Sequence, residues 1–221
     1  MLKLENVLTR EEIARIRVEL SRVDFYDGAE TGFAAHKKNL QVDQVRKPQL
    51  AGVTGLVLDA VMRNTEFTNY VWPHKVTLAF NRYDSGMRYK GHADAALMGE
   101  SQSTAVRVDC SFTLFLTDPD TYDGGELVME TPFGNFEFKE KQGTAIVYDS
   151  LYVHGVKPVT RGSRVSAVGW VQSFIKNPIH RQSVADMYKV HRELALAMPD
   201  SDIPPRLDQA LQNLMRGWIE N

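Results

Sequence analysis

The chain has 221 residues, of which 43% are hydrophobic and 24% are charged, and its formal net charge at pH 7 is −2. These values predict one soluble globular domain with a full hydrophobic core. The single cysteine, Cys110, excludes an intramolecular disulfide and a metal site built from a cysteine cluster. Any bound metal must therefore be held by nitrogen and oxygen ligands.

Charge and hydropathy also limit the classes of partner and the cellular location that we expect. The 26 Lys and Arg residues are balanced by 28 Asp and Glu residues, which disfavours the basic surface typical of nucleic-acid-binding proteins. No segment approaches the roughly 18 consecutive apolar residues of a membrane-spanning helix, and the N-terminus lacks a basic end followed by an apolar stretch. We therefore expect a cytoplasmic protein with no nucleic-acid partner and no membrane span.

Two helices are predicted before residue 73. Thr9 and Glu12 have the spacing of a capping box, and apolar residues follow at helical spacing: Ile13, Ile16 and Leu20. A second helix is predicted after Pro48, where one stripe contains Val53, Leu56, Ala60 and Val61. Both helices need an apolar surface to cover.

From Pro73 onward, apolar and polar residues alternate as in half-buried strands. The clearest strand spans residues 107–117, where Cys110 lies on the apolar face and is expected to be an inert packing thiol. The other face carries Ser111, Thr113 and Phe115. This mixed face favours the wall of a wet pocket, and an ordinary exposed sheet face is the alternative.

Further strands are predicted at residues 126–130, 136–139, 144–148 and 164–174. Short strands separated by Gly and Pro turns predict a sandwich or barrel of antiparallel strands. After Asn177 the pattern becomes helical again, with Ser183 as the predicted cap of a first helix. A second stripe follows Pro205: Leu207, Leu211, Leu214, Met215 and Trp218. These stripes are expected to pack on the chain's own sheet, and a homodimer interface through the C-terminal helices is the alternative.

Three regions follow from this pattern. An N-terminal helical flank is predicted over residues 1–72, a β-core over 73–176 and a C-terminal helical extension over 177–221. Without internal repeats or a long linker, the helices are expected to flank one core.

His92 stands out among the six histidines because Asp94 follows two residues later. On a strand, residues i and i+2 point to the same face, so that the imidazole and the carboxylate would lie side by side. His154 follows far downstream, just after the apolar strand 144–148. A His-x-Asp pair with one distant His is the ligand set of the facial triad, which holds Fe(II) and leaves three positions open. Zinc accepts the same ligands.

Arg164 helps to distinguish these two chemistries. It lies ten residues after His154, at the start of the last predicted strand. A guanidinium there can bind the distal carboxylate of a dicarboxylate through two charge-assisted hydrogen bonds, while the other end of the molecule chelates the metal. A zinc hydrolase has no such requirement. The alternative for Arg164 is a surface arginine that closes a turn.

Four segments taken together resemble a known family. They are residues 83–94 (YDSGMRYKGHAD), 112–116 (FTLFL), 122–127 (YDGGEL) and 154–164 (HGVKPVTRGSR). The chain resembles the PKHD-type hydroxylases, which are bacterial relatives of the prolyl 4-hydroxylases among the Fe(II)- and 2-oxoglutarate-dependent dioxygenases. The resemblance implies a mainly β fold, with a double-stranded β-helix (jelly-roll) core flanked by N-terminal and C-terminal α-helices.

The resemblance also implies roles for individual residues. Iron is held at the positions matched by His92, Asp94 and His154, and 2-oxoglutarate is bound at the position matched by Arg164. Tyr83 is the nearest match to a tyrosine that assists 2-oxoglutarate binding in related prolyl hydroxylases, and a plain core tyrosine is the alternative.

One position departs from the pattern. Phe115 stands where such relatives carry a second tyrosine on the following strand, so the hydrogen bond of that tyrosine is not expected here. The other matched positions are all filled.

The implied activity is hydroxylation of an unactivated C–H bond, coupled to oxidation of 2-oxoglutarate to succinate and carbon dioxide, with L-ascorbate as a reductant by family analogy. An amino-acid, peptidyl or peptide-like metabolite is the implied substrate class. Two alternatives stay open at this point. One is a jelly-roll that binds metal or a small acid without turnover, as a sensor or binding module, and the other is a zinc-dependent hydrolase.

Overall fold

The computed structural model of the protein describes residues 1–31, 36–99 and 105–220, and the remaining residues of the three predicted regions lie outside these ranges. The helices in the described residues are α1 Arg10–Ser21, α2 Ala51–Met62, α3 Thr65–Val71, α4 Pro178–Ala197 and α5 Ile203–Trp218. The strands are β1 Leu2–Leu4, β2 Tyr26–Asp27, β3 Lys37–Lys38, β4 Leu40–Val42, β5 Pro73–Asp84, β6 Arg88–His92, β7 Leu97–Met98, β8 Val106–Arg107, β9 Cys110–Phe115, β10 Asp123–Gly124, β11 Leu127–Thr131, β12 Gly134–Phe138, β13 Ala145–Asp149, β14 Val153–Val156, β15 Val159–Arg161 and β16 Ser163–Ser173.

Local capping interactions fix where the first helices begin. At α1 the predicted capping box is confirmed: Thr9 Oγ1 accepts a hydrogen bond from the Glu12 amide at 3.2 Å, and the Glu12 carboxylate accepts one from the Thr9 amide at 2.8 Å. Helix α3 has no counterpart among the predicted elements. Asn64 caps it by accepting a hydrogen bond from the Phe67 amide at 3.0 Å, and Phe67 is fully buried. These caps satisfy amides that lack a partner within the helix.

Most strands belong to two antiparallel sheets. The seven-stranded sheet has the order β1-β13-β9-β16-β5-β4-β2, and the five-stranded sheet has the order β12-β11-β14-β6-β3. This confirms the mainly β architecture with helical flanks, and the predicted strands after residue 125 correspond to β11, β12, β13 and β16. Unlike the helical flank expected there, residues 1–72 also contribute β1, β2 and β4 to the large sheet and β3 to the small one.

The two faces of the large sheet have different neighbours. Its outer face packs against the N-terminal helices in a core that includes Ile16, Val57, Phe67, Phe112 and Leu114. Cys110 lies in this core, where burial raises the pKa of its thiol to about 12, as expected for a packing thiol. The inner face of β9, with Ser111, Thr113 and Phe115, is buried toward the small sheet. The mixed face of this strand is therefore an interior wall.

Helices α4 and α5 pack against each other, and α4 also packs against α3. Their apolar cluster contains Ile175, Val184, Leu211 and Met215, surrounded by Trp72, Met187, Tyr188 and Trp218. The predicted cap of α4 is wrong. Asn177 Oδ1 accepts hydrogen bonds from the amides that begin the helix, whereas Ser183 lies inside it and donates to the carbonyl of Ile179. None of the helices in the described residues has the length and hydropathy of a membrane-spanning segment.

A close approach between two strands makes Gly169 sensitive to substitution. Gly169 on β16 lies opposite Phe112 on β9, and a Cβ at this position would lie 2.1 Å from the buried ring. Because overpacking a rigid core forces neighbouring groups to move, Gly169→Ala is expected to lower the free energy of unfolding by about 1–3 kcal/mol, measured by chemical denaturation. Gly52→Ala is the matched control, since an added methyl there meets nothing within 4 Å. In this exposed helical position it should raise stability by roughly 0.5–1 kcal/mol.

Candidate metal centre

Three side chains with metal-binding atoms meet at the inner side of the small sheet. His154 on β14 pairs directly with His92 on β6, and their ring centroids are 4.4 Å apart. Asp94 completes the group, with His154 Nε2 3.8 Å from its Oδ1. One donor atom from each residue lies within 4.8 Å of the others. A single ion can therefore contact two imidazoles and one carboxylate, which is the donor set of the Fe(II) facial triad.

Asp94 does not lie on the strand of His92, where the sequence analysis placed it. Strand β6 ends at His92, so Asp94 lies in the following loop rather than on the same strand face. A hydrogen bond from Ser111 Oγ to Asp94 Oδ2, at 2.6 Å, holds the carboxylate from the large sheet. Ser150 Oγ lies 2.7 Å from Ser111 Oγ and donates to it, because the one proton of Ser111 is used on Asp94. The loop carboxylate is thus positioned by β9 and by the end of β13.

Both histidines have a defined orientation. Nδ1 of His92 lies 3.0 Å from the carbonyl oxygen of Lys90, and Nδ1 of His154 lies 3.1 Å from that of Tyr152. A carbonyl only accepts, so each Nδ1 carries the proton and each Nε2 keeps a free electron pair. Burial lowers the pKa of His92, and the neighbouring His154 lowers it further. His92 is therefore neutral near pH 7, which is the form that binds a metal.

Arg164 is a buried cation that lines the same interior space as the triad. It is only 1% exposed, and its guanidinium carbon lies 5.4 Å from the ring centre of Tyr83 and 5.1 Å from that of Phe115. Nη1 donates to Ser166 Oγ at 3.0 Å, but Nε and Nη2 are buried without a hydrogen-bond partner in the described residues. Nor does any carboxylate of those residues form an ion pair with it. Such a group fits an anion with two oxygens, because a buried charge without a partner is costly.

The triad and Arg164 line one cavity of about 690 Å³ between the two sheets. This volume lies within the range of about 300–1,000 Å³ that is typical of small-molecule sites. Its wall includes four aromatic side chains with a polar atom: Tyr83, Tyr89, Tyr148 and Trp170. The arrangement can hold a metal at the triad and a carboxylate at Arg164.

The sequence is similar to those of known proteins over its full length. Residues 78–172 match the family model of the 2OG-Fe(II) oxygenase superfamily. The chain is 37% identical to a PKHD-type hydroxylase of Crocosphaera subtropica, with 100% of both chains covered. It is 35% identical to the PKHD-type hydroxylase YbiX of Escherichia coli, with 100% of this chain and 99% of the relative covered. The chain belongs to the PKHD-type hydroxylases.

Solved structures at low identity share the fold of this hydroxylase. A Pseudomonas putida prolyl-4-hydroxylase superposes with a TM-score of 0.56 at 17% identity, covering 78% of this chain and 91% of that one. HygX from Streptomyces hygroscopicus, solved with nickel, 2-oxoglutarate and hygromycin B bound, superposes with a TM-score of 0.55 at 13% identity, covering 79% and 83%. The predicted jelly-roll core is confirmed.

Family membership also decides between the functional classes. The hydroxylase is an Fe(II)- and 2-oxoglutarate-dependent oxidoreductase, which supports the enzyme over a jelly-roll that only binds metal or a small acid. The triad in the structure fits the iron of this family, and the unpaired Arg164 fits its dicarboxylate cosubstrate.

Some residues of the site escaped the sequence-based reasoning. Tyr148 on β13 is almost fully buried, and its ring centroid lies 5.1 Å from that of His154. Burial raises the pKa of its hydroxyl well above the usual value, so it stays protonated. The available signal was the apolar strand predicted at residues 144–148, and the pairing of β13 with β9 places Tyr148 opposite Ser111 on the inner face. Residues 145–148 are a continuous hydrophobic run, so without the pairing of β13 with β9 the sequence did not indicate which of them face the inner side.

Ser111→Ala tests whether the hydroxyl of Ser111 positions the Asp94 carboxylate for metal binding. Removing the hydroxyl leaves one oxygen of the carboxylate without its donor, so we expect Mn(II) affinity, measured by electron paramagnetic resonance, to fall by about 10–100-fold with the fold intact. Ser85→Ala is the control, because this exposed serine bonds only to the carbonyl of Thr160 in the described residues. Equal affinity in the two variants would show that Ser111 does not position the ligand.

Proposed function

We propose that His92, Asp94 and His154 hold Fe(II), and that Arg164 binds the distal carboxylate of 2-oxoglutarate. The observation that carries this proposal is the buried guanidinium with two unpaired nitrogen groups, which lines the same cavity as the triad. A metal-binding triad alone fits several ions. The addition of a buried cation without a carboxylate partner favours a dicarboxylate that spans the two groups.

Each residue then has a defined task. Bound iron supplies the activation of dioxygen that couples oxidation of 2-oxoglutarate, to succinate and carbon dioxide, to hydroxylation of a C–H bond. Arg164 orients the cosubstrate, while Tyr83 and Phe115 flank the guanidinium and exclude water from it. In this proposal Tyr83 assists the binding of 2-oxoglutarate. Phe115 contributes packing where related enzymes have a hydroxyl.

The hydroxylated substrate is proposed to be an amino acid, a peptidyl side chain or a peptide-like metabolite. The cavity of about 690 Å³ supports a small substrate bound together with 2-oxoglutarate. L-ascorbate is proposed as the reductant that keeps the iron in the Fe(II) state. Sustained turnover should therefore depend on it.

The test is succinate formation by the full chain loaded with Fe(II) under air. We expect 2-oxoglutarate to be consumed with equal amounts of succinate and carbon dioxide, and to protect the metal-loaded protein against thermal unfolding. Oxaloacetate, with a shorter chain between its carboxylates, is the control and should protect less. The proposal would fail if 2-oxoglutarate neither bound nor was consumed.

A homodimer through the C-terminal helices is a further part of this proposal. Apolar side chains remain exposed on α4 and α5: Ile179, Val190, Leu196, Ile203 and Leu214. Sedimentation velocity should give a dimer that Leu196→Glu dissociates, and a monomer at all concentrations would exclude the idea. Cytoplasmic location is likewise proposed, and cell fractionation tests it.

A further inference from the structure

A buried lysine from the N-terminal region lines the same cavity as the triad. Lys37 on β3 pairs with Tyr89 on β6, and it is only 7% exposed. Its Nζ lies 5.4 Å from the centre of the Tyr89 ring, and that ring stacks on the His92 imidazole with centroids 3.6 Å apart. One aromatic ring therefore lies between the ammonium group and a residue of the metal centre.

The partners of Lys37 in the described part of the chain are uncharged. Its Nζ donates to Thr31 Oγ1 at 2.8 Å and to Gln41 Oε1 at 2.6 Å, and no carboxylate of the described residues forms an ion pair with it. Burial lowers its pKa to about 8, although the more distant charges of Asp94 and Asp27 act in the opposite direction. An ammonium group has three donors and the described residues accept two of them, which leaves the third for a ligand. A buried cation without a counter-ion is costly, and an anion bound beside it removes that cost.

A chain of hydrogen bonds fixes the direction of this lysine. Gln41 uses its amide nitrogen to donate to the hydroxyl of Tyr26 at 3.2 Å, so its carbonyl oxygen points to Lys37. The Tyr26 hydroxyl donates to Asp43, and the same carboxylate accepts the amides of Val45 and Arg46. The Asp43 carboxylate thus accepts hydrogen bonds from Tyr26, Val45 and Arg46, and it does not pair with Lys37. The ammonium group is held in place before any ligand binds, which lowers the entropy cost of binding.

We propose that the hydroxylated substrate carries a carboxylate and that Lys37 binds it. This inference rests on the function proposed above, in which Arg164 is occupied by 2-oxoglutarate. Three cationic side chains of the described residues line the cavity, and Arg46 among them is paired with Glu30. Arg164 and Lys37 have no carboxylate partner in the described residues, so that Arg164 serves the cosubstrate and Lys37 the substrate. A small acid, such as a free amino acid or a peptide with a terminal carboxylate, fits this arrangement. The primary amide of the same molecule does not fit, because it lacks the negative charge.

The experiment compares acids with their amides. The full chain is loaded with Mn(II) and saturating 2-oxoglutarate, and the binding of amino acids and dipeptides, each as free acid and as primary amide, is measured by calorimetry. At least one acid should bind about tenfold or more tightly than its amide, since a hydrogen bond to a charged partner contributes at least that much. Lys37→Met should remove this preference, and Lys37→Arg should retain part of it.

Lys38→Met is the matched control. Lys38 is the next residue on β3 and is exposed, so its loss should leave the preference unchanged. The proposal is wrong if no acid binds better than its amide, or if the preference persists in Lys37→Met. The affinity for 2-oxoglutarate, measured in the same samples, should be equal in all variants. Failure of the wild-type chain to bind 2-oxoglutarate would instead overturn the proposed function, which separates the two results.

Discussion

Asp94→Asn is expected to abolish turnover and to lower metal affinity by more than about 100-fold. Loss of a residue that only supports a metal ligand lowers metal affinity by about 10–100-fold, and loss of a ligand itself should lower it further. The substitution keeps the size of the side chain but removes the only anionic ligand among the three proposed residues. Binding of a metal to the folded state raises stability by about 2.7 kcal/mol at a concentration 100 times the dissociation constant. The variant should therefore lose the shift in melting temperature that Fe(II) or Mn(II) produces in the wild-type protein.

A surface carboxylate provides the control for this experiment. Asp123 is exposed and paired with Arg161, with 2.6 Å between Oδ2 and Nε. Asp123→Asn should leave both the metal-dependent shift and turnover unchanged. If Asp94→Asn kept the metal affinity of the wild-type protein, the ion would have to be held by other residues.

Arg164→Met is expected to lower the affinity for 2-oxoglutarate by about 30-fold or more, because removing one partner of a buried charge pair costs at least about 2 kcal/mol. Methionine retains an apolar side chain between the rings of Tyr83 and Phe115. The protein without ligand should be as stable as the wild type or more so, because the buried unpaired guanidinium is gone. Calorimetry and thermal unfolding measure the two effects separately.

Two comparisons make this result specific. Arg161→Met lies three residues earlier, on the exposed side of the turn, and should leave 2-oxoglutarate binding unchanged. The second comparison uses 2-oxobutanoate, which lacks the distal carboxylate and should bind equally to the wild type and to Arg164→Met. Strong destabilisation of Arg164→Met with unchanged affinity for 2-oxoglutarate would assign the arginine a structural role only.

Patterns within a few residues predicted much of the fold. The capping box at Thr9 and the alternation along β9 are local, because each depends on residues at most a few positions apart. The donor types at His92, Asp94 and His154 were also readable, since the choice of nitrogen and oxygen ligands follows from chemistry and the lone cysteine. The structure brings these three side chains together.

Other features depend on contacts between distant parts of the chain. Ser183 has the residue type of a cap, but Asn177 occupies the position where the chain enters α4, so the local preference of serine was satisfied inside the helix. The short strands of the N-terminal region gave no period-two signal because they have only two or three residues. They form by pairing with strands from distant parts of the chain, since β3 pairs with β6 and β4 pairs with β5.

By itself, the sequence determined the antiparallel β-core, the helices around it other than α3, the ligand types and the cation Arg164, because periodicity and side-chain chemistry are properties of the chain. Only the tertiary structure decided which strand face is the inner one, that Ser111 holds Asp94 from another sheet, and that Tyr148 and Lys37 line the same cavity. The physical reason is that burial and charge pairing depend on which strands become neighbours. That choice minimises the free energy of the whole fold rather than of any one segment.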